Sequence, residues 1–247
     1  MRKIFPPLTI ALAVLVGWQV LSATSGAHAV GSPIETMGML LHMMATSHFW
    51  LDAAETGAAF VWSLALSILC GCFIGVALGL SRASGEVFEP ILVTFYALPK
   101  VTLYPLVLLA FGLGMSAKVA FGVMHALVPI TLMTRNAVSQ LKPVYWRTAK
   151  TLGLGPVAAV RHVVFPAIMP ELVAAVRIGF SLSLLGVLIG EMFASKRGLG
   201  YAAINAMGLG DITTIMAIGI FLATVAIAIN VGLLTIESAV RHAPAAR

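Results

Sequence analysis

The chain has 247 residues, is 60% hydrophobic and only 10% charged, and carries a formal net charge of +6 with a mean hydropathy of +1.02. Soluble domains contain about 25% charged residues, so this composition excludes a soluble globular enzyme, a disordered chain and a nucleic-acid-binding domain. Lipid accommodates only helices and closed barrels, and the apolar runs here are continuous rather than alternating, which predicts an all-α membrane protein.

Six apolar runs are long enough to cross a bilayer as helices, which takes about 20 residues. Turn-forming and charged residues separate these runs, for example at 81–86, where the sequence indicates a loop. We predict six transmembrane helices, at residues 5–25, 56–80, 88–111, 118–138, 166–194 and 212–240.

The first of these runs has two interpretations. Arg2 and Lys3 precede it and Ala27-His28-Ala29 follows it, an arrangement that resembles a secretory signal peptide and its cleavage site. Cleavage would leave five spans and an N-terminus outside the cell. We favour retention as a span, because the apolar run is long for a signal peptide.

The segment between the first two spans, residues 26–55, contains no Lys or Arg. Apolar residues recur in it at helical spacing, which predicts a short amphipathic helix on the membrane surface. These residues are Ile34, Met37, Leu41 and Met44.

The distribution of Lys and Arg predicts that both termini are cytoplasmic, since cytoplasmic loops carry an excess of these residues. Lys118, Lys196 and Arg197 would then lie outside, and Lys100 and Arg177 within spans. The remaining ten basic residues would lie inside, namely Arg2, Lys3, Arg82, Arg135, Lys142, Arg147, Lys150, Arg161, Arg241 and Arg247.

The third span contains Pro99 and Pro105, and interrupted membrane helices commonly line a cavity. Lys100 lies near the middle of this span, where a charge costs a few kcal/mol unless it is paired or hydrated. Glu191, late in the fifth span, is its candidate partner. Either the two residues face a solute pathway, or they form a buried structural pair, or Lys100 extends to the outer surface. The candidate pathway residues are Pro99, Lys100, Thr102, Ser183 and Glu191.

Other polar groups within the spans have structural interpretations. We expect Arg177 to contact a helix terminus or Glu171, and His125 to be packed or capped. Small residues in the fifth span allow close approach of helices, as in simple packing, a dimer interface or a narrow pathway. They are Ser181, Ser183, Gly186 and Gly190.

The segment 142–166, which we call the knob, is predicted to form two short helices around a glycine corner. Pro143 suits the first turn of a helix and Gly153 its C-terminal cap. Gly155-Pro156 starts the second helix, and Phe165-Pro166 is predicted to end it. An ordinary cytoplasmic loop would explain the basic residues of the knob, but not this order of helix, glycine, helix and proline.

The knob resembles the cytoplasmic EAA loop of permease subunits of ABC importers, whose pattern is Glu-Ala-Ala, three residues, Gly, nine residues, Ile, one residue and Leu-Pro. The glycine-to-proline spacing is intact here, whereas Arg147 stands in place of the glutamate. The resemblance implies that this segment packs into a groove on an ATPase and transmits its closing motion. The candidate coupling residues are Arg147, Thr148, Ala149, Lys150, Gly153, Val163, Phe165 and Pro166.

The resemblance extends over residues 57–241 and favours the nitrate, sulfonate and taurine branch of these importers. The motifs that carry it include Ala97-Leu98-Pro99-Lys100, Phe111-Gly112-Leu113-Gly114, Gly190-Glu191-Met192 and Gly198-Leu199-Gly200-Tyr201. It implies a type I permease core of five helices at 56–240, preceded by a peripheral N-terminal helix within 1–55 and followed by a cytoplasmic tail at 241–247. It also implies a bacterial inner-membrane location, a homodimer, two cytoplasmic ATPase subunits that use ATP, and a periplasmic or surface solute-binding protein.

The implied function is translocation of a small anionic solute similar to nitrate, a sulfonate or taurine; an uncharged vitamin precursor such as a pyrimidine is the alternative. We expect no catalytic residue, metal site or bound cofactor, and the chain has no Walker-A loop. An intramembrane aspartyl protease needs two aspartates, but Asp211 has only Asp52 as a companion, on the predicted outside loop. The chain could also be a channel or a secondary transporter, but neither would need an ordered cytoplasmic segment such as the knob.

Overall fold

The structure, a computed structural model, describes residues 5–25 and 30–242, and within these ranges it is helical without any strand. Arg2, Lys3, the predicted cleavage site at 27–29 and residues 243–247 lie outside the described residues. The helices are α1 Phe5–Ser25, α2 Pro33–Met44, α3 Ser47–Leu80, α4 Arg82–Ala97, α5 Tyr104–Phe111, α6 Met115–Ser139, α7 Pro143–Thr151, α8 Pro156–Ala159, α9 Phe165–Ala194, α10 Leu199–Gly208 and α11 Ile212–His242.

Four helical stretches of the described chain are long and apolar enough to cross a membrane, and the bent pair α4 and α5 makes a fifth crossing if it counts as one span. They coincide with the second to sixth predicted spans, so the all-α membrane fold is confirmed. The helix α1 coincides with the first predicted span, and its described apolar stretch is Leu12–Thr24. It is peripheral and is held by Trp18, whose Nε1–H donates to the Gly31 carbonyl at 2.9 Å.

The helix α6 is central and packs along its length against α3 on one side and α9 on the other. Glycines spaced four residues apart make the contact with α3 possible. A Cβ at Gly75 would lie 2.6 Å from the Thr134 Cβ, a distance that real side chains do not adopt. The same close approach recurs one turn away on each side, where Gly71 faces Ile130 and Gly79 faces Val138.

The small residues of the fifth span also face helices of the same chain. Ser183 and Ser63 share a hydrogen bond of 2.8 Å between α9 and α3. A Cβ at Gly186 would lie 2.6 Å from the Phe121 carbonyl, and one at Gly190 would lie 3.1 Å from the Lys118 Cα. Close helix packing therefore accounts for three of the four predicted small residues, whereas Ser181 is exposed.

Two predicted boundaries were wrong. Residues 81–86 are not a loop, because α4 already begins at Arg82. The Ser81 hydroxyl accepts the Ser84 N–H at 3.3 Å, and Arg82 pairs with Glu86 one turn later at 2.9 Å, so local contacts start the helix early. The second span also begins well before residue 56, at Ser47.

The predicted helix between the first two spans is present as α2, while its position on the membrane surface stays a prediction. Ser32 and Glu35 form a reciprocal capping box at its start. The helix packs against α11 and buries Thr36 and Leu40, while Ile34 is 82% exposed. Ile34, Met37 and Leu41 of the predicted apolar stripe therefore face away from the bundle, whereas Met44 packs on the cluster of Phe49, Leu199 and Ile218.

Two polar side chains of the spans make specific contacts, one between helices and one within a helix. Arg177 pairs with Glu237 of α11 at 3.0 Å and not with the predicted Glu171, because its position on α9 faces α11. His125 is buried with its Nδ1 2.8 Å from the Phe121 carbonyl, so its prediction as a packed histidine is confirmed.

Candidate functional site

The knob has a rigid glycine corner. After α7, the Leu154 N–H donates to the Ala149 carbonyl at 3.1 Å and the Gly153 N–H to the Lys150 carbonyl at 3.0 Å. These two bonds form a Schellman motif, which needs a left-handed residue after the helix. Gly153 supplies it with φ +63°, and a Cβ added there would meet nothing within 4 Å, so backbone conformation rather than space requires the glycine.

The knob is anchored to the bundle by the inner face of α7. Ala149 is buried, and Trp146 packs on a cluster of Val138 from α6, Val164 from the segment just before α9, and Ile168 from α9. Trp146 is not among the predicted coupling residues, although its spacing of three residues from Ala149 places both on one helical face. The knob is therefore fixed to α6 and α9 by apolar packing.

The second helix of the knob does not end at Phe165-Pro166, which corrects the sequence prediction. It passes from α8 through a π-helical segment, Val160–Val164, directly into α9. In this wider turn the Phe165 N–H donates to the carbonyl of Val160, five residues earlier. The extra residue in the turn accommodates Pro166, which has no N–H to donate, without breaking the helix.

Most of the predicted coupling residues lie on the open side of the knob. Arg147, Thr148, Lys150, Gly153, Phe165 and Pro166 are exposed, Val163 is half-buried and Ala149 is buried. Two apolar residues that were not predicted stand out at the corner, Leu152 at 64% exposure and Val157 at 82%. The knob thus presents an apolar corner flanked by basic side chains.

The helix of the third predicted span is interrupted, as its prolines predict, but only beside Pro99 and not at Pro105. The helices α4 and α5 meet at 87° across Leu98, Pro99 and a 3₁₀ turn, Lys100–Leu103. Leu98 is extended with ψ 137°, the conformation that a following proline favours. Pro105 instead occupies the first turn of α5, where its missing N–H costs nothing.

Lys100 does not pair with Glu191, which corrects the predicted ion pair. Its Nζ donates to the Tyr96 carbonyl at 3.1 Å and lies 4.7 Å from the centre of the Tyr96 ring. Because α4 ends at Ala97, its last carbonyls lack helical partners, and the ammonium supplies one. Beside it Pro99 and Thr102 are exposed, and the Thr102 hydroxyl donates to the Pro99 carbonyl at 2.7 Å.

Glu191 organises the start of α10 at the opposite end of the bundle from the knob. Three consecutive backbone N–H groups are satisfied by side chains: Gly198 donates to Asp52 at 2.9 Å, Leu199 to Thr56 at 2.8 Å and Gly200 to Glu191 at 2.9 Å. The Thr56 hydroxyl lies 2.8 and 3.0 Å from the two carboxylate oxygens of Glu191 and donates to that group. These residues, with Lys118, form what we call the buried network.

Lys118 is the cation of the buried network. Its Nζ donates to the Glu55 carboxylate and to the Arg197 carbonyl, both at 3.0 Å, and lies 3.5 Å from Glu191. Depth in the membrane explains why Glu191 contacts Lys118 and not Lys100. Lys118 begins α6 and Glu191 ends the antiparallel α9, so both are at the same end, whereas Lys100 is in the middle of its span.

The structure therefore brings together only part of the predicted pathway set. Pro99, Lys100 and Thr102 are neighbours at the break in the third span. Ser183 and Glu191 are fully buried among α3, α6 and α9, where neighbouring helices of the same chain occupy their surroundings. Their side chains therefore contribute to helix packing within this chain and do not line an accessible surface.

A cavity of about 570 Å³ opens beside the buried network. Its polar lining comes from Glu55, Ser195, Lys196 and Arg197, and the two cationic side chains are exposed. The cavity rim is thus more positive than negative. Across the described ranges, no three His, Cys, Asp or Glu side chains are grouped so that they could hold a metal ion.

Comparison with known proteins connects these features to a family. Residues 67–242 match the family described as "Binding-protein-dependent transport system inner membrane component". The "Probable ABC transporter permease protein" of Haemophilus influenzae is 29% identical over 83% of this chain and 83% of its own length. The taurine transport system permease protein TauC of Escherichia coli is 25% identical, over 76% of this chain and 68% of its own.

A third relative carries a different solute in its name. The formylaminopyrimidine transport permease protein ThiX of Halalkalibacterium halodurans is 26% identical over 79% of this chain and 78% of its own length. Among solved structures, a chain of the MetNI methionine ABC transporter in an inward-facing conformation superposes with a TM-score of 0.68. It is 21% identical, and the match covers 83% of this chain and 97% of that one. This similarity shows the fold, that of a type I importer permease.

Proposed function

The chain belongs to the family of binding-protein-dependent transport system inner membrane components, and from this premise we propose that it is the permease subunit of an ATP-driven ABC importer for a small anionic solute. It is a multi-pass membrane protein and a translocation subunit rather than an enzyme. The observation that carries the proposal is the ordered structure of the knob. Its second helix continues without a break into the membrane as one helical stretch, Pro156–Phe193.

The knob is the coupling element of this proposal. Two cytoplasmic ATPase subunits close on ATP and displace the exposed side of each knob, whose predicted contact residues include Arg147, Lys150 and Phe165. Because Trp146 and Ala149 fix α7 to the bundle, movement of the knob carries α6 and α9 with it. The chain itself binds no cofactor, and ATP is used by the partner subunits.

The pathway in this proposal passes the break in the third span. Pro99 and Thr102 expose polar backbone and a hydroxyl there, which suits a helix that lines a cavity more than one that faces lipid. Two copies of the chain form the pathway between them, as a homodimer.

A binding protein delivers solute on the side of the cavity lined by Lys196 and Arg197. With both termini cytoplasmic, as the distribution of Lys and Arg predicts, that side is the outside. The positive cavity rim supports a solute with an anionic group, and the similarity to a taurine permease agrees with this, because taurine carries a sulfonate. A pyrimidine is the second candidate, favoured by the similarity to the formylaminopyrimidine permease.

The test is reconstitution of the chain in proteoliposomes with the ATPase and binding protein that co-purify with it. We expect uptake of radiolabelled taurine that requires ATP and both partners. Uptake of a formylaminopyrimidine but not of taurine would replace the anionic solute with the second candidate. Robust transport by the chain alone, or failure of any ATPase to co-purify, would contradict the permease assignment.

A further inference from the structure

The knob is a cationic surface whose basic side chains form no ion pair within the described part of the chain. No Asp or Glu occurs between Glu89 and Glu171, and Glu89 is already paired with Arg135 at 2.9 Å. Four basic side chains of the knob are exposed, and the ion pairs found among the described residues include none of them. They are Lys142, Arg147, Lys150 and Arg161.

Two of these cations stand beside the apolar corner. Arg147 and Lys150 are three residues apart on α7, so they project from neighbouring positions on one side of the helix. The exposed Leu152 directly precedes Gly153, and the exposed Val157 lies four residues after it. An exposed apolar centre with charged residues at its edge is the usual composition of a protein interface.

We propose that the surface that receives the knob on the ATPase subunit is acidic, with carboxylates opposite Arg147 and Lys150, and that this charge pairing selects the ATPase that the permease accepts. The proposal rests on the proposed function and adds the chemistry of the partner. The importer pattern has glutamate where this chain has Arg147, so an ATPase suited to glutamate would place a cation against a cation here. Like charges at an interface exclude the wrong partner, and opposite charges favour the right one.

Anionic lipid headgroups could also attract these cations, but the shape of the knob favours a protein. The corner is held by the Schellman motif and by Trp146, and it presents Leu152 and Val157 in fixed positions. A fixed apolar corner suits a complementary groove, whereas attraction to a charged membrane surface requires only the basic residues.

The experiment measures binding of the ATPase subunit that co-purifies with the wild-type chain to the full-length permease in nanodiscs. The variant is Arg147→Gln/Lys150→Gln, and the control is Arg82→Gln, which removes an exposed arginine outside the knob whose pair with Glu86 is itself open to solvent. All three positions carry exposed side chains, and circular dichroism and size-exclusion profiles check that the variants keep the fold. We expect the double variant to bind about tenfold more weakly at low salt and to lose most of the salt dependence, and the control to bind like wild type.

Restoration of binding provides the specific test. Arg147→Glu should bind more weakly still, and a carboxylate-to-lysine change in the ATPase groove should restore its affinity. Nanodiscs of phosphatidylcholine, with and without phosphatidylglycerol, separate the two sources of negative charge. Equal affinity and salt dependence for the double variant and wild type would overturn the inference, as would an effect seen only with phosphatidylglycerol. In either case, binding of the ATPase to the wild-type chain would still support the proposed function. If no ATPase bound the wild-type chain, both this inference and the proposed function would be contradicted.

Discussion

The ammonium of Lys118 and the carboxylate of Glu191 are both fully buried and lie 3.5 Å apart, where α6 and α9 meet. Each of the two charged groups also has other hydrogen-bond partners. Lys118 also donates to Glu55 and to the Arg197 carbonyl, and Glu191 also accepts from Thr56 and Gly200. Because the remaining groups belong to α3 and to the start of α10, the pair joins four elements at one end of the bundle.

Replacing Lys118 by methionine should destabilise the protein strongly. The change leaves Glu191 buried without its cation, and removal of one partner of a buried pair costs about 3–5 kcal/mol. The double variant Lys118→Met/Glu191→Gln should lose less than the sum of the two single variants, because the fully buried position 191 then carries no charge and the Glu55 carboxylate, which also loses its cation, is partly exposed to solvent. Denaturant unfolding in detergent micelles measures all three. Strict additivity would show that the two charges do not interact.

Gly198→Ala should disturb the start of α10 for two reasons. Its φ of +117° is unfavourable for an L side chain, and a Cβ there would overlap the Glu191 carboxylate. Gly210 has φ +70° with open space around it, so Gly210→Ala measures backbone strain alone, about 1–2 kcal/mol. We expect Gly198→Ala to lose clearly more thermal stability than Gly210→Ala. The control is Gly208→Ala, which has neither strain nor overlap. Equal losses of thermal stability for Gly198→Ala and Gly210→Ala would show that overlap with the Glu191 carboxylate does not contribute.

The contact between α3 and α6 predicts opposite effects for two glycines of one helix. Gly75→Ala forces a Cβ against Thr134 and the Thr131 carbonyl, and such overpacking costs about 1–3 kcal/mol. Gly57→Ala on the same helix meets nothing within 4 Å and should be neutral or slightly stabilising. Unfolding of the two variants under identical detergent conditions checks this. A stability loss at Gly57 as large as at Gly75 would contradict the packing of these helices.

Gly153→Val should uncouple ATP hydrolysis from transport while leaving the membrane helices folded. The left-handed conformation at Gly153 costs a β-branched residue about 1–2 kcal/mol or more, so the corner opens and the knob loses its shape. Gly155→Ala is the matched control, since Gly155 has φ −64° and open surroundings. The readout is solute molecules transported per ATP hydrolysed in proteoliposomes. We expect a several-fold drop for Gly153→Val only, and an unchanged ratio would exclude the corner from coupling.

The membrane crossings could be predicted from the sequence because each depends on a local property, a run of about 20 apolar residues. The corner of the knob was predictable for the same reason, since Gly153 serves a turn closed by residues within five positions. The continuation through Val160–Val164 was not, because Phe165-Pro166 resembles a helix end and only a π-helical turn shows how proline is accommodated.

The partners of charged residues were harder to predict. Glu191 was assigned to Lys100 because both lie within spans, but pairing depends on depth and on which helices are neighbours. Lys118 satisfies both conditions, and its position at the start of α6 could have indicated the pairing once α6 was known to pack beside α9. Asp52 and Thr56 were missed because their role, binding the first N–H groups of α10, becomes visible only in the folded chain.

The uninterrupted helix that leaves the knob has a mechanical consequence. At about 1.5 Å per residue, the 30 residues of α9 form a rod of about 45 Å that reaches from the π-helical turn to the buried network. Pro170 lies inside α9 near its start, and beyond it no further proline interrupts the rod, so most of its length can transmit a displacement applied at the knob. A small tilt at one membrane face therefore becomes a larger lateral shift at the other, so α9 acts as a lever whose far end carries the first turn of α10.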